Sequence, residues 1–273
     1  MSAIEVWKQR VAAHHAQSQQ IRAAMGIAAV DRWEMVSPLF KANPHRTDDV
    51  EANRLVREVA PDMTVLDVGG GAGRFALPMA LRCQHVTVVE PSPSMAQSLR
   101  QIAAEAGIDN VSLVVKRWEE AAVEPADVVL SAHVVYMIED IQAFIAKLAA
   151  HARQKVLMPT FMRPPLARYA PFWRWVYGTD KQELPGAGEL MRVLWAMDIY
   201  PDLEMFEPRP PRTFEDWQTA LETLRRRTHV QPDTAADAQL QQAMRELLIQ
   251  TPDGYSVRGA PPEHLALISW RPA

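Results

Sequence analysis

Apolar residues recur along this chain in two rhythms, and the places where the rhythm changes divide it. Over residues 1–60, Ile4, Trp7, Val11, Ile21 and Met25 fall near helical spacing, as on helices with one buried stripe. Pro38 and Pro44 punctuate the stretch, and Thr47-Asp48-Asp49 offers cap residues for a helix running to Glu58. From Met63 to about Thr160, short apolar runs take over at Thr64–Val68, Val86–Val89, Val111–Val115, Asp127–Leu130 and Lys155–Met158. Helical patterns separate them at Arg74–Arg82, Ser94–Ala106 and Ile141–His151. Near-continuous apolar runs suit strands buried on both faces. The alternation predicts an α/β, Rossmann-like, doubly wound fold: a mostly parallel sheet with helices on both faces.

After Pro159 the pattern changes again. Residues 161–177 are rich in aromatics, Pro and Arg. Helices are predicted at Ala187–Met197, Phe214–Arg227 and Thr234–Gln250, and extended pieces at Leu203–Phe206 and Leu265–Trp270. Four segments follow: an N-terminal helical cap (1–60), a cofactor-binding core (61–160), an aromatic-rich lid insertion (161–200) and a C-terminal completion of the core with two helices and a final strand (201–273).

Composition narrows the classes of function. A chain of 273 residues fits one large domain, or one domain with a modest cap. The net charge of -4 gives no broad positive field, so no nucleic-acid partner is expected. No run approaches the roughly 18 apolar residues of a membrane span. Glu5 lies where a signal peptide is apolar, and a cytoplasmic location with no membrane partner is expected. One cysteine, Cys83, supports neither a disulfide nor a zinc cluster. It reads as a small buried residue at a helix end, and no metal is expected.

The chemistry concentrates in residues 65–75, VLDVGGGAGRF. A strand runs to Asp67, glycines stand at 69, 70, 71 and 73, and a helix is expected near Arg74. Glycine allows a sharp strand-to-helix turn and close approach of a ligand to the backbone. Glu90 ends the next strand, about 20 residues beyond the loop, where a carboxylate accepts ribose hydroxyls. The dinucleotide fingerprint G-x-G-x-x-G/A requires a small third residue. Read from Gly69, that position is Arg74, which disfavours a nicotinamide dinucleotide.

The loop instead reads Asp67-x-Gly69-x-Gly71-x-Gly73. It resembles the first motif of the class I S-adenosylmethionine-dependent methyltransferases, D/E-x-G-x-G-x-G. The resemblance covers Met63 to about Thr160 and implies a seven-stranded sheet, completed near Leu203–Phe206 and Leu265–Trp270. It implies S-adenosylmethionine as cofactor and S-adenosylhomocysteine as product. Asp67, Gly69, Gly70, Gly71, Gly73 and Arg74 would wrap the methionine part, and Glu90 the ribose. Pro91 and Met95 of the segment PSPSM would lie near the adenine. Trp118 and Glu119 follow the third strand, where the family contacts the adenine ring and its amino group; Trp118 reads equally as a core or rim residue. Ser131-Ala132-His133-Val134 follows the fourth strand, as the family's fourth motif does. The absence of N/D-P-P-Y/F there leans toward small-molecule members.

His133 is the candidate general base, because imidazole titrates near neutral pH; the alternative is that it only lines the cofactor pocket. Asp140 reads as a helix N-cap. His14 and His15 read as lying on a solvated or capping helix face. An apolar or aromatic small-molecule acceptor is expected, with Trp33, Tyr136, Phe161, Tyr169, Phe172 and Trp173 as substrate residues, Phe40 as a further wall, and Arg163, Arg168 or Arg174 facing an acidic group. Helix packing is the competing reading of these aromatics. Competing functions are a nicotinamide-dependent oxidoreductase, an aminopropyl transferase of the same fold, and a non-catalytic binding protein of that fold. The sequence leaves the acceptor atom and the oligomeric state open.

Overall fold

A computed structural model of the chain describes residues 1–26 and 43–272. Trp33 and Phe40 lie outside the described residues. Among those described, no helix is long and apolar enough to cross a membrane. The chain divides into two compact units. One holds residues 1–26, 161–196 and 205–266; the other holds 43–160, 197–204 and 267–272.

The second unit is built on a seven-stranded sheet. Its strands are β1 (Thr64–Val68), β2 (His85–Val89), β3 (Val111–Val114), β4 (Ala126–Leu130), β5 (Ala152–Phe161), β6 (Asp202–Met205) and, last in the chain, β9 (Leu265–Trp270). Their order is β3-β2-β1-β4-β5-β9-β6. The pairs β1–β2, β1–β4, β2–β3 and β4–β5 are parallel, with Val65 opposite Val86 and Val128. Leu66, Val68, Val86, Val88, Leu130 and Leu157 are buried along these strands, which is why they read as unbroken apolar runs. Because β1 is central and β4 crosses to its other side, the carboxyl ends of β1 and β4 meet at a switch of strand order, where open α/β sheets bind ligands.

Helices of this unit are α2 (Val50–Val56), α3 (Ala76–Ala80), α4 (Pro93–Glu105) and α5 (Ile141–His151). Asp49 caps α2 by accepting the Ala52 N–H, Ser92 caps α4 through the Met95 N–H, and Asp140 caps α5 through the Ala143 N–H. A side-chain acceptor at these positions satisfies a donor that the first helical turn leaves open. The helix expected over Arg74–Arg82 is shorter at both ends, since the chain turns through Gly73 and closes again at Leu81–Cys83. Cys83 is buried just beyond it, and burial raises its thiol to about 11.

The first unit contains α1 (Ala3–Ala24), α6 (Ala170–Tyr177), α7 (Ala187–Ala196), α8 (Trp217–Thr228), α9 (Ala235–Leu247) and a hairpin of β7 (Leu248–Thr251) and β8 (Gly254–Val257). α1 opens with a reciprocal capping box between Ser2 and Glu5. It is pinned to α7 by an Arg10–Glu189 ion pair of 2.7 Å and to the segment before α7 by a 2.6 Å contact from His14 Nδ1 to the Gln182 carbonyl. His14 is therefore buried, correcting its placement on a solvated face. Phe172, Phe214, Leu224, Leu240 and Met244 form the core of the unit. Thus α8 and α9 share a core with the 161–196 segment and do not complete the sheet. The sheet is completed by β6 and β9 alone.

Two predicted helices also have different ends. Phe214 lies ahead of α8 and pairs with Tyr255 of β8, while Asp216 caps the helix. The helix predicted to run to Gln250 stops at Leu247, and Leu248–Thr251 is the first strand of the hairpin. Pro252-Asp253 turns between its strands, with Gly254 pairing opposite Thr251.

Candidate active site

Asp67 stands at the end of β1 and Glu90 just past β2, neighbours because the two strands pair in register. Between them the loop 69–73 carries four glycines, of which Gly69, Gly71 and Gly73 have positive φ. At Gly69, φ is 77° and an added Cβ would lie 2.4 Å from Val134 Cγ2. At Gly70 an added Cβ would lie 2.6 Å from Asp67 Oδ2. Glycine is therefore required at both positions, for backbone conformation at one and for space over a carboxylate at the other.

The two carboxylates sit in different surroundings. Glu90 accepts the Gly71 N–H at 3.0 Å and the Ser92 N–H at 2.8 Å, so its side chain fixes both the glycine loop and the start of α4. Carboxylate oxygens have further lone pairs, so ribose hydroxyls can join these donors. Asp67 is 1% exposed, and its Oδ2 has no hydrogen-bond partner. Burial, and then the negative charge of Glu90, push its carboxyl up to about 7. A buried carboxylate with an open oxygen beside a second carboxylate favours a cation.

Met95 is buried in the first turn of α4, and Pro91 is exposed ahead of it. Trp118 is buried, with the Lys147 ammonium 4.4 Å above its ring and the His151 ring 5.2 Å away, while its Nε1 has no hydrogen-bond partner. Its indole therefore packs on α5. Glu119 is exposed and paired with Arg117 at 3.5 Å.

The Arg74 side chain is held by the first turn of α2 and its cap. Its Nε reaches Asp49 Oδ2 at 2.9 Å, its Nη1 lies 3.3 Å from Glu51, and its guanidinium stacks 4.5 Å from the Phe75 ring. Arg46 also binds Asp49, at 2.7 Å. Although burial opposes it, the two arginines hold the Asp49 carboxyl well below the usual carboxylate range. Arg74 thus ties, by its charge, the glycine loop to the cap and first turn of α2. Its bulk still stands where the dinucleotide pattern needs a small residue.

His133 follows β4 with φ of 60°, a conformation disfavoured for a side chain of this size. Its backbone N–H donates to the Pro159 carbonyl, and its Nε2 lies 2.9 Å from Glu51 Oε2. Glu51 is 0% exposed. It is the residue that sequence reasoning missed, since 82 positions separate it from His133 and no local motif joins them. Tyr136 is buried in a 3₁₀ turn after His133. The unit thus brings together Asp67, the glycine loop, Glu90 and the start of α4, with Val134, the neighbour of His133, against Gly69. Among the described residues, no group of three His, Cys, Asp or Glu residues is arranged to hold a metal.

The remaining predicted substrate residues belong to the other unit. Phe161 is buried with Arg212 above its ring, and Tyr169 packs beside Arg168. Phe172 and Trp173 are fully buried; Trp173 is enclosed by Tyr177, His229 and Lys181.

Residues 65–155 match the family model described as "Methyltransferase domain". An uncharacterized protein of Haemophilus influenzae is 32% identical over 102 residues, covering 37% of this chain and 38% of that protein. The 23S rRNA (uracil(1939)-C(5))-methyltransferase RlmD of Klebsiella pneumoniae is 38% identical over 63 residues, 23% of this chain and 14% of that enzyme. This chain therefore spans well under half the length of these relatives. The solved structure of the YcgJ protein from Bacillus subtilis aligns with a TM-score of 0.56 at 16% identity, covering 81% of this chain and 97% of that one; that likeness concerns the fold.

Proposed function

We propose, from the match of residues 65–155 to the methyltransferase-domain model, that the protein transfers a methyl group from S-adenosylmethionine to a small, apolar or aromatic acceptor. The observation that carries this reading is Asp67: buried, with an open oxygen, under the glycine loop and coupled to Glu90. The ammonium group of a methionine moiety supplies the missing partner and relieves the unfavourable burial of charge. A dinucleotide would bring a negatively charged pyrophosphate to the same carboxylates, which argues against the nicotinamide reading beyond the argument from Arg74.

When bound, S-adenosylmethionine supplies a methyl group already activated on a sulfonium. The chain then has three tasks. Asp67 and the loop 69–73 hold the methionine end. Glu90 holds the ribose, with Met95 beside the adenine. His133 takes the proton that the acceptor loses, and Glu51 keeps its ring in place and stabilises the imidazolium. Fixing both reactants in line supplies much of the rate, so the base contributes a smaller share.

This assignment carries its own expected result. His133→Ala should lower turnover about a hundredfold while leaving S-adenosylmethionine affinity within about twofold. Glu51→Gln should lower it less, since the imidazole remains. Single-turnover transfer to an accepted substrate, read as S-adenosylhomocysteine formed, checks both. Unchanged turnover in His133→Ala removes it as the base. The small-molecule acceptor is tested by the same readout across phenols, aromatic amines and carboxylic acids, against an RNA oligonucleotide. Product formed with the RNA alone would replace the small-molecule reading.

A further inference from the structure

A second cluster of charge lies in the first unit. Arg168 stands in the 3₁₀ turn Pro165–Tyr169 ahead of α6, and Arg226 and Arg227 in the last turn of α8. The Arg168 guanidinium lies 4.7 Å from the Tyr169 ring and 5.6 Å from the Phe214 ring, and its Nη2 donates to the Tyr169 hydroxyl. The Arg227 guanidinium lies 5.9 Å from the same Tyr169 ring. Arg168 Nε and Nη1, Arg226 Nε and Arg227 Nε are all buried without a hydrogen-bond partner.

Buried donors on charged groups are ordinarily satisfied, and each exception calls for an explanation. Other arginines of the same unit follow the rule: Arg225, which precedes Arg226, binds Asp237 at 2.7 Å, and Arg10 binds Glu189. No such carboxylate faces Arg168 or Arg227 among the described residues. Burial, together with the like charges of Arg226 and Arg168, lowers the Arg227 guanidinium from its ordinary range, while Tyr169 opposes the shift. Tyr169 engages both guanidinium groups, by its ring and its hydroxyl, and leaves Arg168 Nε and Nη1 and Arg227 Nε open. Guanidinium edges match the oxygens of carboxylates and phosphates.

We propose that Arg168 and Arg227, beside Tyr169, form a binding site for a carboxylate or phosphate group carried by a small-molecule ligand. The site stands whether or not the chain transfers methyl groups, and its test needs no cofactor. The full chain is titrated with sodium phosphate or sodium benzoate at constant ionic strength, with chloride as the exchanged anion and uncharged benzamide as control. Melting temperature is the first readout, and the 31P line width of phosphate is the second. A saturable rise of about 5 °C is expected for the preferred anion, with none for benzamide. The stronger response, to phosphate or to benzoate, identifies the group.

Arg168→Met and Arg227→Met should each weaken that response at least tenfold. In chloride alone they should melt no lower than wild type, since each removes one of three clustered like charges and its open buried donors. Arg227→Lys, which keeps the charge but loses the planar fork, should also bind at least tenfold more weakly. The proposal is overturned if wild type shows no saturable response to either anion, or if the variants respond as wild type does. It is also overturned if the methionine variants melt well below wild type in chloride or fail to fold, because the arginines are then structural.

Discussion

Asp67→Asn is expected to make the protein more stable at pH 8 while weakening S-adenosylmethionine binding about ten- to hundredfold, the worth of a hydrogen bond between charged groups. The two effects have one cause. Burial and Glu90 raise the Asp67 carboxyl from 3.8 to about 7, so the folded state holds a proton that the unfolded chain gives up near pH 4. Stability from this group is therefore full below about pH 4 and is lost as pH rises through 7. A shift of this size corresponds to about 4 kcal/mol. Asparagine removes the ionisation but leaves an amide to satisfy, so the net gain is smaller. Melting curves of wild type and variant from pH 4 to pH 8 should diverge with rising pH, the variant above. Parallel curves would show that Asp67 carries no such strain. Wild-type cofactor affinity should also fall about tenfold per pH unit below 7, as the carboxylate that meets the ammonium is protonated.

The second large effect concerns the loop. Gly69→Ala must place a side chain at φ of 77° and a methyl 2.4 Å from Val134 Cγ2. Left-handed backbone costs about 1–2 kcal/mol, and overpacking adds about 1–3 kcal/mol. A fall in melting temperature of roughly 5–15 °C is expected for a chain of this size, with loss of cofactor binding. Gly70→Ala differs, because its methyl would meet Asp67 Oδ2 at 2.6 Å. There the smaller part of the damage should fall on stability and the larger part on affinity. Calorimetric titration beside thermal melting separates the two variants. Equal affinity in Gly70→Ala and wild type would place the methionine end away from Asp67.

Much of the second unit was legible because its strands are buried on both faces. β1 has the bounds read from its apolar run, and β2, β3 and β4 differ by a residue. The glycine loop was legible for the same local reason, since strand, turn and carboxylate follow one another in sequence. What escaped was nonlocal or continuous in pattern. Glu51 reaches His133 only through the packing of α2 near the end of β4, which no spacing reveals. The β7–β8 hairpin escaped because Leu240, Met244, Leu247 and Leu248 keep a helical rhythm past the end of α9, and the turn at Pro252-Asp253 lies four residues later. Arg74 was legible as bulk and not as charge: its partners Asp49 and Glu51 lie about 25 positions upstream. The aromatics of 161–178 could not be sorted by sequence into core and ligand-facing residues, because both uses share helical spacing.

The central claim is that Asp67, the glycine loop and Glu90 bind S-adenosylmethionine. Isothermal titration of the full chain at pH 8 with S-adenosylmethionine, S-adenosylhomocysteine and NAD tests it most directly. The account predicts one-site binding of the first two, about ten- to hundredfold weaker S-adenosylmethionine binding in Asp67→Asn, and no heat with NAD. Binding of NAD with none of either sulfur nucleoside would contradict it.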